Sequence, residues 1–99
     1  MTVTVTATFV VSASARARFL AAARAVIPPT RAEAGCVTYV VHEDAEQPGV
    51  FMFYEVWRSA EDLAAHLATA HVGSFLRAVE PLLDREIDVR SWQLPPETQ

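Results

Sequence analysis

Between Tyr54 and Leu76 the chain reads YEVWRSAEDLAAHLATAHVGSFL, and this stretch gathers the residue types that could do chemistry. Glu55 and Trp57 are two apart in a run with strand character, so they share a face. His66 follows Leu63 by three residues in a helical run and points with its apolar stripe. His71 opens the next helical turn. A carboxylate can orient an imidazole and support it as a general base, which makes Glu55, His66 and His71 the candidate catalytic residues. Trp57 offers a flat wall to an aromatic ligand, and Phe53, Tyr54 and Leu63 are candidates to line the same pocket.

Plainer roles stand beside these. A single histidine on an apolar face is often a core residue with one satisfied hydrogen bond, and a tryptophan is often core. A buried Glu55 could be held by backbone amides or an arginine. Two histidines and a glutamate are also metal-ligand types, but their spacing matches no metal signature, so no metal and no cofactor are expected. His42 falls near a strand end, where a surface role is expected. Cys36 has no electropositive neighbour in sequence and reads as a small buried apolar residue. No G-x-S-x-G, nucleotide loop or zinc pattern is present.

These residues need a scaffold. Residues 2–11 alternate threonine with Val3, Val5, Ala7 and Phe9, a strand period. A helix is expected over 13–27, with Phe19, Ala23, Val26 and Ile27 on one face. Pro28 and Pro29 should end it, and Thr30 to Ala34 should add one turn closed by Gly35. Strands are expected at 36–43 and 50–57, joined as a hairpin through Pro48-Gly49. Ser59 and Asp62 resemble a capping box for the helix that carries Leu63 and His66. A further helical stretch from 71 carries Val72, Phe75, Leu76 and Val79 and ends at Pro81. A last strand at 86–94 precedes a frayed tail, 95–99. The order β-α-β-β-α-β predicts one α+β domain over 1–99, its core at 3–94. Its fold should be ferredoxin-like: an antiparallel sheet with helices on one face. The third strand is apolar on both sides, with Val50, Met52, Tyr54 and Val56 on one and Phe51, Phe53 and Trp57 on the other. A sheet with a wet second face would not need both. A second copy of the chain on that face, a homodimer, is therefore expected.

Composition narrows the function. The chain has 99 residues, 52% of them hydrophobic, and a net charge of −4. With no basic run, neither nucleic acid nor an anionic membrane is an expected partner. One cysteine excludes an intrachain disulfide. The N-terminal run reads as a strand rather than a signal peptide, and no apolar stretch spans a bilayer, so the cytoplasm is the expected location.

The runs EAGCVTYVVH, FMFYEVW and SAEDLAAHLATAH together resemble the antibiotic biosynthesis monooxygenase domain family, over about residues 3–90. The most specific part is Glu55-x-Trp57 followed by His66 and Thr69-x-His71. The resemblance implies a dimeric α+β barrel with a pocket between sheet and helices in each subunit. It also implies oxidation of a small phenolic, quinol or polyketide-type aromatic by O2 without flavin, haem or metal. The haem-degrading branch does not fit: its pocket tryptophan falls at His66, its iron-ligating histidine at Leu76, and its pocket asparagine has no counterpart among Thr2 to Phe9. An isomerase or tautomerase using the same pocket, or a non-catalytic dimeric ligand-binding domain, are the alternatives.

Overall fold

The alternating threonines and valines of the N-terminus form β1 (Val3–Val10), as their period requires. The computed structural model describes residues 1–99. It continues with α1 (Arg16–Arg31), β2 (Cys36–Glu43), β3 (Val50–Trp57), α2 (Ala60–Leu67), α3 (Ala70–Val79) and β4 (Asp88–Trp92). All strand pairs are antiparallel, in the order β2-β3-β1-β4. This is the expected ferredoxin-like arrangement, with the second helical segment divided at Thr69. No helix is long and apolar enough to cross a membrane.

One face of the sheet carries Val5, Ala7, Phe9, Tyr39, Phe51, Phe53 and Trp57, all buried beneath the helices. Phe19 of α1 stacks on Phe51 at 4.4 Å between ring centroids, and Phe75 of α3 meets Phe9 edge-on at 5.6 Å. Such pairs add to the stabilisation from area burial. The other face presents Thr4, Thr6, Met52, Tyr54, Val56 and Trp92, in the register that pairs Thr6 with Tyr54 and Thr4 with Trp92. Tyr54, Val40 and Trp92 are exposed there.

Three boundaries differ from those expected. The first helix does not stop at Pro28 but runs through both prolines to Arg31. Each proline removes one N–H, and the carbonyls left without it belong to exposed Arg24 and Ala25. Val26 and Thr30, one turn apart and both buried, hold the last turn against the core. The last strand is five residues long rather than nine. Residues 95–99 contain a single turn, Pro96–Thr98, on the surface.

The β2–β3 hairpin is fixed by charge and by one glycine. Gly49 has φ +93°, and a Cβ there would run into the Val11 carbonyl. Glu43 accepts from the Gly49 N–H at 3.0 Å and from Arg16 Nε at 2.8 Å, while Arg16 Nη2 reaches its second oxygen at 2.7 Å. The Arg16 hydrogen bonds, followed by the Gly49 amide, pull the Glu43 carboxyl down to about 2 from its ordinary 4.5. A carboxyl lowered in the folded state stabilises it above the ordinary value, and that contribution is lost as pH falls through the lowered one. Glu43→Gln should therefore flatten the fall in stability between pH 4.5 and about 2. Urea midpoints measured across that window check this, and an unchanged slope would exclude the role.

Candidate functional site

The site is assembled by three local devices around His66. The first is the turn after α1. Glu33 N–H donates to the Thr30 carbonyl at 3.0 Å, Cys36 N–H to Glu33 O at 3.1 Å, and Arg58 N–H to Gly35 O at 2.8 Å. A side chain on Gly35 would overlap that of Asp62, so glycine there lets α2 lie directly on the turn. The second is the start of α2. Ser59 accepts from the Asp62 N–H at 3.1 Å and donates to its carboxylate at 2.8 Å, the expected cap, and Arg58 clasps the same carboxylate. The third is Thr69, whose hydroxyl donates to the His66 carbonyl at 2.7 Å and accepts from the Val72 N–H at 3.4 Å. One side chain thus ends α2 and begins α3.

These devices bring both imidazoles to one carboxylate oxygen. His66 Nδ1 and His71 Nε2 each lie 2.8 Å from Glu33 Oε2. An ionised carboxylate only accepts, so both nitrogens must carry hydrogen. Neutral His66 then has its lone pair on Nε2. That atom has no partner within the protein. It is not sealed either, since Thr30 Oγ1 is the only fully buried side-chain polar atom without a partner. His66 is only 3% exposed and borders a cavity of about 400 Å³ between the sheet and α2–α3. Nε2 therefore opens on that cavity.

Twelve of the fifteen lining residues are hydrophobic, and the other three are Glu55, His66 and Ser91. Phe53 and Leu63 are in the wall, as expected, joined by Val72, Phe75 and Val89. The volume suits a small organic ligand. Tyr54 is not in this pocket: strand alternation puts it on the opposite face of the sheet, 38% exposed, near Trp92. Trp57 is not a lining residue either. It is fully buried, its ring 4.4 Å from that of His66 between centroids. It therefore positions the imidazole. His71 lies outside the cavity lining, its ring 6.1 Å from that of His66 between centroids, and shares Glu33 Oε2 with it.

Glu55 does not contact His66 through a hydrogen bond. It takes the Trp57 Nε1–H on Oε1 at 3.0 Å, and its Oε2, unpartnered and unsealed, faces the cavity. Burial pushes the Glu55 carboxyl up, with the Trp57 bond and nearby His66 opposing. The partner expected for His66 was Glu55, and the carboxylate found on it is Glu33. An acidic residue in a loop reads as solvated, and nothing in its spacing ties Glu33 to a helix 33 residues away. Burial also raises the Cys36 thiol and the Tyr39 hydroxyl, so neither is primed as a nucleophile.

The site is thus an apolar cavity between a ferredoxin-like sheet and its helices, with one imidazole in its wall. The comparisons make the class specific. The family model of the antibiotic biosynthesis monooxygenases matches residues 2–78, and the chain belongs to that family. Rv0793, a candidate monooxygenase of Mycobacterium tuberculosis, is 36% identical over 87 residues, covering 88% of this chain and 85% of that protein. The solved structure of Rv0793 superposes with a TM-score of 0.90 over the full length of both chains. An uncharacterised Synechocystis protein, sll1783, is 32% identical over 82% of this chain, which spans about half (54%) of that relative's length.

A carboxyl raised by burial penalises the folded state once it ionises. The penalty is absent below the ordinary carboxylate range and complete above the raised value. Glu55→Gln keeps an acceptor for Trp57 Nε1 and removes the ionisation. The variant should gain on the wild type as pH rises through and above the ordinary carboxylate range, read from urea midpoints. A gap that is constant with pH would mean that Glu55 ionises without cost.

Proposed function

We propose that the protein is a cofactor-independent monooxygenase for a small phenolic, quinol or polyketide-type aromatic, with His66 Nε2 as the base. The observation that carries this reading is an imidazole held by Glu33 on one nitrogen, with the other open to an apolar cavity, in a chain of this family. His66 takes a proton from an acidic C–H or O–H of the substrate, and Glu33 balances the charge that appears on the ring. The carbanion or phenolate passes one electron to O2. The resulting radical pair joins at carbon, and the proton returned by His66 gives a hydroperoxide. Loss of water from a R2CH–OOH group leaves a ketone, so one oxygen atom enters the product and the other leaves as water. The substrate supplies all four electrons that reduce O2, two in forming the hydroperoxide and two in its loss of water. The apolar wall excludes water and holds O2 beside the ring, and Glu55, when protonated, can give its proton to the departing hydroxide.

A second reading rests on a specific feature: Glu55 Oε2 and His66 Nε2 open on one cavity. A carboxylic acid and a base facing one ligand can also move a proton between two of its atoms, as a tautomerase would. Such turnover would continue without O2.

The apolar outer face of the sheet supports a homodimer built on Tyr54, Val40 and Trp92, and the single free cysteine fits a cytoplasmic setting. Tyr54→Glu should shift the sedimenting species from dimer to monomer; a monomeric wild type would rule the dimer out.

Oxygen uptake by the EDTA-treated protein with quinols, anthrones and naphthols tests the chemistry. Uptake above autoxidation is expected, with kcat lowered about 10²–10⁴-fold in His66→Ala. Product formed equally well under argon would move the assignment to the tautomerase. Uptake unaffected by His66→Ala would remove the base.

A further inference from the structure

We propose that Glu33, His66 and His71 form a site for a borderline divalent cation such as Zn²⁺, on the side of His66 away from the cavity. His66 Nδ1, His71 Nε2 and the Glu33 carboxylate lie within 4.8 Å of one another, and Oε2 is already 2.8 Å from each nitrogen. Two imidazoles and one carboxylate are a donor set that suits Zn²⁺, with a fourth position left for water. Bonds of about 2.0–2.1 Å put neighbouring ligands about 3–3.5 Å apart. The oxygen therefore already lies close to ligand spacing, and the nitrogens need only draw together. The parts that would move are the free ones. The side chains of Glu33 and His71 are 17% and 24% exposed, which also gives an ion its path and a water its place. His66 stays packed between Trp57 and Tyr39. The ligands come from the turn after α1 and from two successive helices, so no sequence spacing displays them.

The site has a consequence for the base. Ligation at Nδ1 consumes that lone pair and leaves the ring hydrogen on Nε2, facing the cavity. A ring held in that state cannot take a proton from a substrate. The metal would thus hold the enzyme off, and its removal would restore the base. Only this effect rests on the oxygenase reading; the site itself does not.

Untagged, EDTA-stripped protein is titrated with Zn²⁺ by calorimetry and with Co²⁺ by visible absorption. One ion per chain is expected. His71→Ala and Glu33→Gln, each checked for folding by circular dichroism, should weaken binding by about tenfold or more. His42→Asn and Cys36→Ser, which remove the remaining histidine and the cysteine, should leave it unchanged. Nitrogen NMR of the zinc-saturated wild type should show the His66 hydrogen moved from Nδ1 to Nε2. Absence of binding, equal affinity in His71→Ala, or loss of binding in His42→Asn or Cys36→Ser would overturn the proposal and leave the cluster as hydrogen bonds alone.

Discussion

One oxygen of Glu33 accepts hydrogen bonds from imidazoles on two different helices. The rest of the site depends on that contact. It decides which nitrogen of His66 carries hydrogen, and so which one meets a ligand. It can form only because Gly35 lets α2 rest on the turn and because Thr69 breaks the helix between the two histidines. Residues without chemistry of their own thus set the tautomer of the one that has it.

The sandwich has a packed end and an open one. Phe9, Phe19, Phe51, Phe53 and Phe75 crowd together beneath α1 and α3, and this cluster supplies the core of a chain too short for a second. Toward Glu55 and the inner side of β4 the packing gives way to the cavity. Strand β4 is five residues long, and Val89, an inward residue, remains 62% exposed. The cavity is therefore walled well by β1, β3 and the helices, and weakly by β4. Aromatic packing holds the His66 ring, while the short strand leaves the cavity open on that side.

Much of this was legible in the sequence. Period-two alternation located β1, the two runs joined through Pro48-Gly49 located β2 and β3, the Ser59–Asp62 pair located the start of α2, and His66, Glu55, Phe53 and Leu63 do share one cavity. What failed was local reasoning about non-local forces. Pro28 and Pro29 looked like a helix stop because propensity counts only the lost N–H groups, while burial of Val26 and Thr30 carries the helix on. Tyr54 was grouped with the pocket although strand geometry puts it opposite Phe53 and Glu55. Glu33 opens the run EAGCVTYVVH that carries the family resemblance, yet its place beside His66 depends on a fold-level contact that spacing along the chain does not encode.

The two carboxyl groups near His66 sit in different environments, and on the proposed reading that difference makes the arrangement chemically directional. Glu33 is partly exposed and lies within hydrogen-bond reach of both imidazoles. Glu55 is 6% exposed, with one donor on one oxygen and an apolar cavity before the other, a setting that favours its neutral form. Trp57 joins the two, since its indole N–H binds Glu55 while its ring lies on His66. On that reading, a base held from behind by a carboxylate and facing a cavity shared with a carboxylic acid would take a proton at one point of a ligand and supply one at another. Exchanging the two environments would move the carboxylate that holds both imidazoles into the apolar pocket, so on that reading the placement of the carboxylates, more than their presence, would give the pocket its chemistry.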